Sequence, residues 1–134
     1  MFGWFKRARP PAAPPPLRGA PEVRRLKTYQ AETGFVYQYY FDGWRPIDDA
    51  REFIFVASPD RSRYSAIAVH IDNAAVYHWE AVRGRELLSA EQHAVAKLAL
   101  FAALDERAPA DAGATPIRVG SVQLNAILQQ LDRD

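Results

Sequence analysis

Residues 51–71, REFIFVASPDRSRYSAIAVHI, are the part of the chain that decides the fold. The run Arg51–Ser58 has apolar side chains at both odd and even positions, which is typical of a strand covered on both sides. The run Tyr64–Ile71 alternates instead, and turn-forming residues separate the two runs, so we expect an antiparallel hairpin. The side chains expected to face the core from the second run are Ile67, Val69 and Ile71.

The preceding segment, Gly34–Phe41 (GFVYQYYF), alternates in the way expected of a strand with two unlike faces. Asp42-Gly43 follows and predicts a turn, which adds a third antiparallel strand. The tyrosines of this strand occupy both of its faces, and exposed tyrosine is enriched at interfaces. We therefore predict a protein interface at Tyr37, Tyr39 and Tyr40. The alternative is that they are buried under a C-terminal helix, with their hydroxyls at the rim.

The period of the apolar residues changes after Ile71. Asp72 is placed to cap a helix over residues 73–83, and Gly84 stands where such a helix would end. A fourth strand over residues 76–82 is the alternative, so the sequence leaves helix and strand open here.

Two further helices are predicted toward the C-terminus. Residues 89–92 (SAEQ) form a capping-box sequence, which predicts a helix from Ala90 to about Glu106. Ser121 can cap a last helix, whose apolar residues follow the helical period: Leu124, Ile127, Leu128 and Leu131. The predicted fold class is thus α+β, with an antiparallel sheet of three strands, or four, packed against two or three helices.

The N-terminal segment has a different composition from the rest. Residues 10–21 hold six of the ten prolines, so we expect residues 1–21 to be a basic, proline-rich flexible tail and residues 22–134 to be one domain. The stretch Pro21–Gln30 predicts a short helix. Residues 1–28 carry seven basic residues and one acidic residue, whereas the remainder carries ten basic and fifteen acidic ones. An anionic partner would therefore meet the tail first.

The chain has no cysteine and no apolar run long enough to span a bilayer, and we expect it to be cytoplasmic. At its start, Phe2 and the group Trp4, Phe5, Lys6, Arg7 and Arg9 combine aromatic and basic side chains. Such a pairing favours reversible contact with an anionic surface, including a membrane.

Histidine and carboxylate side chains are the remaining candidates for a metal or catalytic site. His70 and Asp72 share one side of a strand, and His78 with Glu80 would repeat the pattern and complete a metal site if residues 76–82 were also a strand. Otherwise His70 and His78 are polar residues at the sheet edge, and His93 lies in the exposed first turn of the long helix. We find no motif for a cofactor or a catalytic nucleophile, and predict neither.

These observations favour a non-enzymatic protein-binding or adaptor module with weak peripheral membrane contact through its N-terminal arm. The alternative is a nucleic-acid-associated protein that uses the basic arm for phosphate contacts. A small enzyme that uses His70 and Asp72 is a third possibility.

Overall fold

The computed structural model describes residues 14–133 and consists of one sheet and three helices. The strands, in chain order, are β1 (Lys27–Gln30), β2 (Val36–Ile47), β3 (Ala50–Ser58), β4 (Ser65–Asp72) and β5 (Ile117–Val119). The helices are α1 (Asn73–Arg83), α2 (Ser89–Glu106) and α3 (Ser121–Arg133), with a 3₁₀ turn at Pro109–Asp111. The α+β class is confirmed, although the sheet has five strands and is mixed rather than wholly antiparallel.

The hairpin of β3 and β4 is present at the centre of the sheet, where the strand order follows the chain order. Phe53 and Phe55 on β3 and the predicted set on β4 are almost fully buried and face the helices. Glu52, Ile54, Val56, Ala68 and His70 alternate with them and lie on the opposite side, which we call the open face. No helix among residues 14–133 covers this face, because the helices pack on the other one.

Asp42-Gly43 does not form the turn that the sequence predicted. β2 continues through these residues to Ile47 with a bulge, and the turn into β3 follows at residues 48–49. Gly43 has φ of +130°, and a Cβ placed on it would lie 2.8 Å from the Leu17 Cβ and 2.9 Å from the Arg18 carbonyl oxygen. The same dipeptide serves as a bulge because another segment of backbone packs directly on the glycine.

β1 replaces the short helix predicted over Pro21–Gln30. It pairs antiparallel with the first half of β2, and Tyr29 stacks on Phe101 of α2 with ring centroids 4.0 Å apart. The Tyr29 hydroxyl donates to Asp105 at 2.8 Å. Burial and this carboxylate raise the pKa of Tyr29 to about 12. Tyr29 and α2 are far apart in the sequence, and the contacts between them hold β1 in the extended conformation.

The chain before β1 also contacts the sheet. Arg18 and Trp44 exchange two backbone hydrogen bonds, of 2.8 and 2.9 Å, so residues 17–19 lie along the second half of β2. These residues belong to the segment that the sequence assigns to the tail.

β5 is a short parallel strand beside β4 that the sequence analysis did not predict. Ile117 and Val119 pair with Val69 and Ile71 and are buried with them. The connection from β4 to β5 passes through α1 and α2, as a parallel pair requires a long crossover.

Residues 73–83 are helical, which excludes the alternative strand. Gly84 ends α1 in the left-handed conformation, with φ of +72°, as predicted. Asp72 occupies the cap position but makes no side-chain cap hydrogen bond. Trp79 is 5% exposed and belongs to the hydrophobic core, so it marks the inward face of this helix.

α2 and α3 lie where the sequence predicted them, but the serine expected to cap each helix is instead its first residue. Ser121 begins α3, and the Leu124 amide donates to the Gly120 carbonyl oxygen at 2.9 Å. Leu88 is the N-cap of α2, and its backbone amide donates to Glu91 at 2.9 Å, so Ser89 is already inside the helix. Leu124 and Leu128 bury one side of α3. Within residues 14–133, none of the helices is both long and apolar enough to cross a membrane.

Candidate functional site

A cavity of about 360 Å³ opens between β1, β2, α2 and the loop of residues 19–26. Basic and aromatic side chains dominate its lining, and we call it the cationic pocket. Its lining residues are Gly19, Pro21, Val23, Arg25, Lys27, Tyr39, Phe41, Phe55, His93 and Lys97. Within residues 14–133, none of the residues that line it carries a carboxylate.

Three elements bring the cations of this pocket together. His93 and Lys97 are one helical turn apart on α2, so they project from the same side of that helix. Lys27 stands at the start of β1, directly across from Tyr39. Arg25 precedes it in the loop. No ion pair formed by the described residues includes Lys27 or Lys97.

The pocket gathers like charges, and no carboxylate from residues 14–133 lines it to balance them. Burial, followed by the charge of neighbouring Lys27, lowers the pKa of Lys97. Burial also lowers the pKa of His93, and the charges of Lys97 and Lys27 add to this effect. Both shifts favour loss of a proton, and an anion placed among these groups would reverse them.

Aromatic side chains form the floor of the pocket. The His93 ring meets Phe41 edge to face with centroids 4.5 Å apart, and it lies 6.1 Å from the Phe55 ring. The Lys97 ammonium is 6.0 Å from the centroid of Tyr39. The prediction that His93 is exposed is therefore wrong: its side chain is half-buried because Phe41 of β2 and Phe55 of β3 lie against it.

The loop of residues 19–26 forms the outer wall. It leaves the edge of the sheet after Arg18 pairs with Trp44 and returns where Lys27 pairs with Tyr39. Val23 and Leu26 in this loop are 72% and 53% exposed, so the loop itself buries little apolar surface.

The tyrosines predicted to form an interface are divided between the two faces of the sheet. Tyr37 and Tyr39 are 1% and 4% exposed and pack in the core, where burial raises the pKa of both hydroxyls. Tyr40 points to the open face, half-buried beneath the Arg24 guanidinium at 5.8 Å. Of the three, Tyr40 alone retains appreciable side-chain surface, because successive residues of a strand face opposite ways.

His70 is held by the sheet. Its Nε2 lies 2.8 Å from one oxygen of Glu52, and the Nε of Arg45 donates to the other oxygen at 2.7 Å. These residues are register partners on three adjacent strands, so they form a charged row across the open face.

Asp72 does not join His70 in a metal site. It lies 3.6 Å from Arg118, and His78 is exposed on α1. A search of residues 14–133 finds no cluster of three metal-ligating side chains. The second histidine-carboxylate pair required a strand at residues 76–82, where the chain is helical.

The predicted anion-binding residues Trp4, Phe5, Lys6, Arg7 and Arg9 lie outside the described residues. Lys27 and Lys97 were not predicted as site residues from the sequence, and His93 was predicted only as an exposed polar residue. The spacing of four residues between His93 and Lys97 was the one local signal for them, and the contribution of Lys27 depends on the pairing of β1.

No protein-family model, curated protein or solved structure matches the chain. The function is therefore inferred from the geometry of the cationic pocket.

Proposed function

We propose that this protein is a non-enzymatic binding module that recognises a protein partner through an anionic group held in the cationic pocket. The observation that carries the proposal is the convergence of Lys27, His93 and Lys97 on a concave aromatic floor without a carboxylate among the lining residues. Pockets that bind ligands combine apolar walls with a few convergent polar groups, and this pocket has both.

A protein partner is favoured over a long nucleic acid by the charge around the pocket. Residues 29–134 carry ten basic and fifteen acidic residues, so the body beyond β1 repels an extended polyanion. A single anionic side chain or terminus can enter the pocket without lying along the acidic surface. The nucleic-acid alternative requires a basic track on the folded surface.

The proposal is tested by affinity purification from source cells with three forms of the full-length chain. Lys97→Glu reverses a charge in the pocket, and Arg63→Glu makes the same change at an exposed position in the loop between β3 and β4. We expect a partner that is retained by the unmodified chain and by Arg63→Glu but lost with Lys97→Glu. The same proteins in all three samples would contradict the proposal, and bound material that nuclease releases would favour the alternative.

The N-terminal arm adds a second, weaker contact in this proposal. Its aromatic and basic residues would hold the protein near an anionic membrane, while the folded body binds the partner. Replacing Trp4 and Phe5 by Ala at constant charge should reduce co-sedimentation with vesicles that contain anionic lipid. Equal sedimentation of both forms would remove the membrane from the proposal and leave the pocket unaffected.

A further inference from the structure

The charge gathered at the cationic pocket exceeds what one carboxylate would neutralise. Lys27, Lys97 and Arg25 line it together with His93. Neighbouring ammonium groups repel each other strongly when they are partly buried, and a dianion among them removes that repulsion. A phosphate monoester carries close to two negative charges at neutral pH and offers three acceptor oxygens.

We propose that the pocket binds a phosphate monoester of a compound that also carries a planar ring, with the phosphoryl group among Lys27, His93 and Lys97 and the ring on the aromatic floor. This inference rests on the proposed function because it names the anion for the same pocket.

The donors suit a phosphoryl group. Lysine is a compact point charge with three rotatable N–H donors, which fits a tetrahedral oxyanion as well as a planar one. The two lysines approach from different elements, β1 and α2, so they can contact different oxygens. His93 lines the same pocket with its ring against Phe41, and a ring N–H can donate to a third oxygen.

The walls suit a ring. Phe41 is partly exposed at the floor, while Phe55, its neighbour on β3, is buried. Pro21 and Val23 line the pocket from the loop of residues 19–26. A planar group between these surfaces would bury apolar area on both of its faces, and aromatic packing of this kind adds to the affinity from charge.

This chemistry has two biological sources, a phosphorylated tyrosine of a partner protein and a free nucleoside monophosphate. Both present a phosphate monoester near a planar ring, but the distance between phosphate and ring is different. A phosphotyrosine peptide and adenosine monophosphate are therefore separate arms of the experiment.

The inference is tested on the purified full-length chain by isothermal titration with phenyl phosphate, benzoate and inorganic phosphate. We expect phenyl phosphate to bind tightest of the three. Since charge-assisted hydrogen bonds are lost, we expect its affinity to fall roughly tenfold or more in Lys97→Met and in Lys27→Met. Arg63→Met is the control and should leave the affinity unchanged, and circular dichroism checks that every variant is folded.

Phenyl phosphate that binds no tighter than benzoate, or that binds Lys97→Met as well as the unmodified chain, overturns the inference. Benzoate that binds at least as tightly as phenyl phosphate, and loses affinity in Lys97→Met, would overturn the phosphate assignment and leave the anion-binding proposal standing. Phenyl phosphate binding that depends on Lys97, in a protein whose purification yields no partner dependent on Lys97, would support the inference and contradict the protein-binding proposal. Tighter binding of the peptide or of the nucleotide then identifies the source.

Discussion

The two faces of the sheet differ in whether their charged side chains are paired with opposite charges. On the open face, the Glu52 carboxylate lies between Arg45 and His70, with contacts of 2.7 and 2.8 Å. On the helix-covered face, Lys27, His93 and Lys97 meet at a pocket lined by no carboxylate from residues 14–133. A paired row is explained by the stability of the sheet alone. Clustered cations without a counterion oppose stability, so they point to a ligand that the fold itself does not supply.

The largest expected difference between the faces is in packing. Phe53 is 2% exposed on the helix-covered face, and its neighbour Ile54 is half-buried on the open face. Phe53→Ala should lower the free energy of unfolding by about 3–5 kcal/mol, because it leaves a cavity in a core that cannot fully collapse. Ile54→Ala should cost less than half as much. Equal losses in denaturant titrations would mean that the open face is covered in solution.

Removing the central carboxylate of the charged row should be destabilising. Burial favours the protonated form of Glu52, but the hydrogen bonds from His70 and Arg45 outweigh it and lower the pKa of this carboxyl. Glu52→Gln should therefore reduce the free energy of unfolding at pH 7 by about 1–3 kcal/mol.

The sign of this effect depends on pH. Because the pKa of Glu52 is lower in the folded protein, its contribution is present above its unfolded pKa and disappears as the pH falls through the folded value. The unmodified chain and Glu52→Gln should therefore converge in stability under acidic conditions. A constant difference down to the lowest pH at which both fold would show that the carboxylate charge is not responsible.

Removing a cation from the pocket should increase the free energy of unfolding, whereas removing the Glu52 carboxylate decreases it. Without an added anion, Lys97→Met should raise the free energy of unfolding by at most about 1 kcal/mol, since the cost of burying the ammonium and its solvent-screened repulsion from Lys27 disappear while the aliphatic stem is retained. Arg63→Met should change stability little. Destabilisation by Lys97→Met would indicate that Lys97 has a structural partner, and the contrast between the faces would fail.

The smallest effect concerns the protonation of His93. Burial and the charges of Lys97 and Lys27 lower its pKa, and Arg25 adds another cation from the loop. The unfolded chain therefore takes up a proton first as the pH falls, and stability should decline as the pH drops below the unfolded pKa of His93. His93→Gln should lose this component in thermal scans across pH 5–8. Saturating phenyl phosphate should weaken it or reverse its sign, because the dianion favours protonated His93.

The sequence was most informative where one segment carried the whole signal. Gly84 ends α1, and the apolar spacing of α3 predicts the buried Leu124 and Leu128. The strands β3 and β4 follow from local patterns in the same way. Each of these elements buries a face that its own residues define.

The rest depends on partners far along the chain. β1 and β5 have four and three residues, which is too few to show the alternation of a strand in the sequence. Each is extended because it pairs with a neighbouring strand, β2 or β4. The dipeptide Asp42-Gly43 is compatible with both a turn and a β-bulge, so the local sequence does not distinguish them. The packing of Leu17 and Arg18 on Gly43 selects the bulge. The cationic pocket draws on β1, β2 and α2, so its cations gather only after those pairings exist.

The pairing on either side of the pocket has a consequence for its origin. Arg18 and Lys27 are nine residues apart, whereas their partners Trp44 and Tyr39 on β2 are only five apart. If residues 18–27 paired with β2 without interruption, they would need four fewer residues to connect these two positions. The extra residues let the loop of residues 19–26 bulge away from β2 and form the outer wall of the pocket. The outer wall of the pocket is thus equivalent to an insertion in the edge strand, and the sheet itself does not depend on it. Shortening the loop by four residues would let the ladder run on, leaving the same sheet without its cavity.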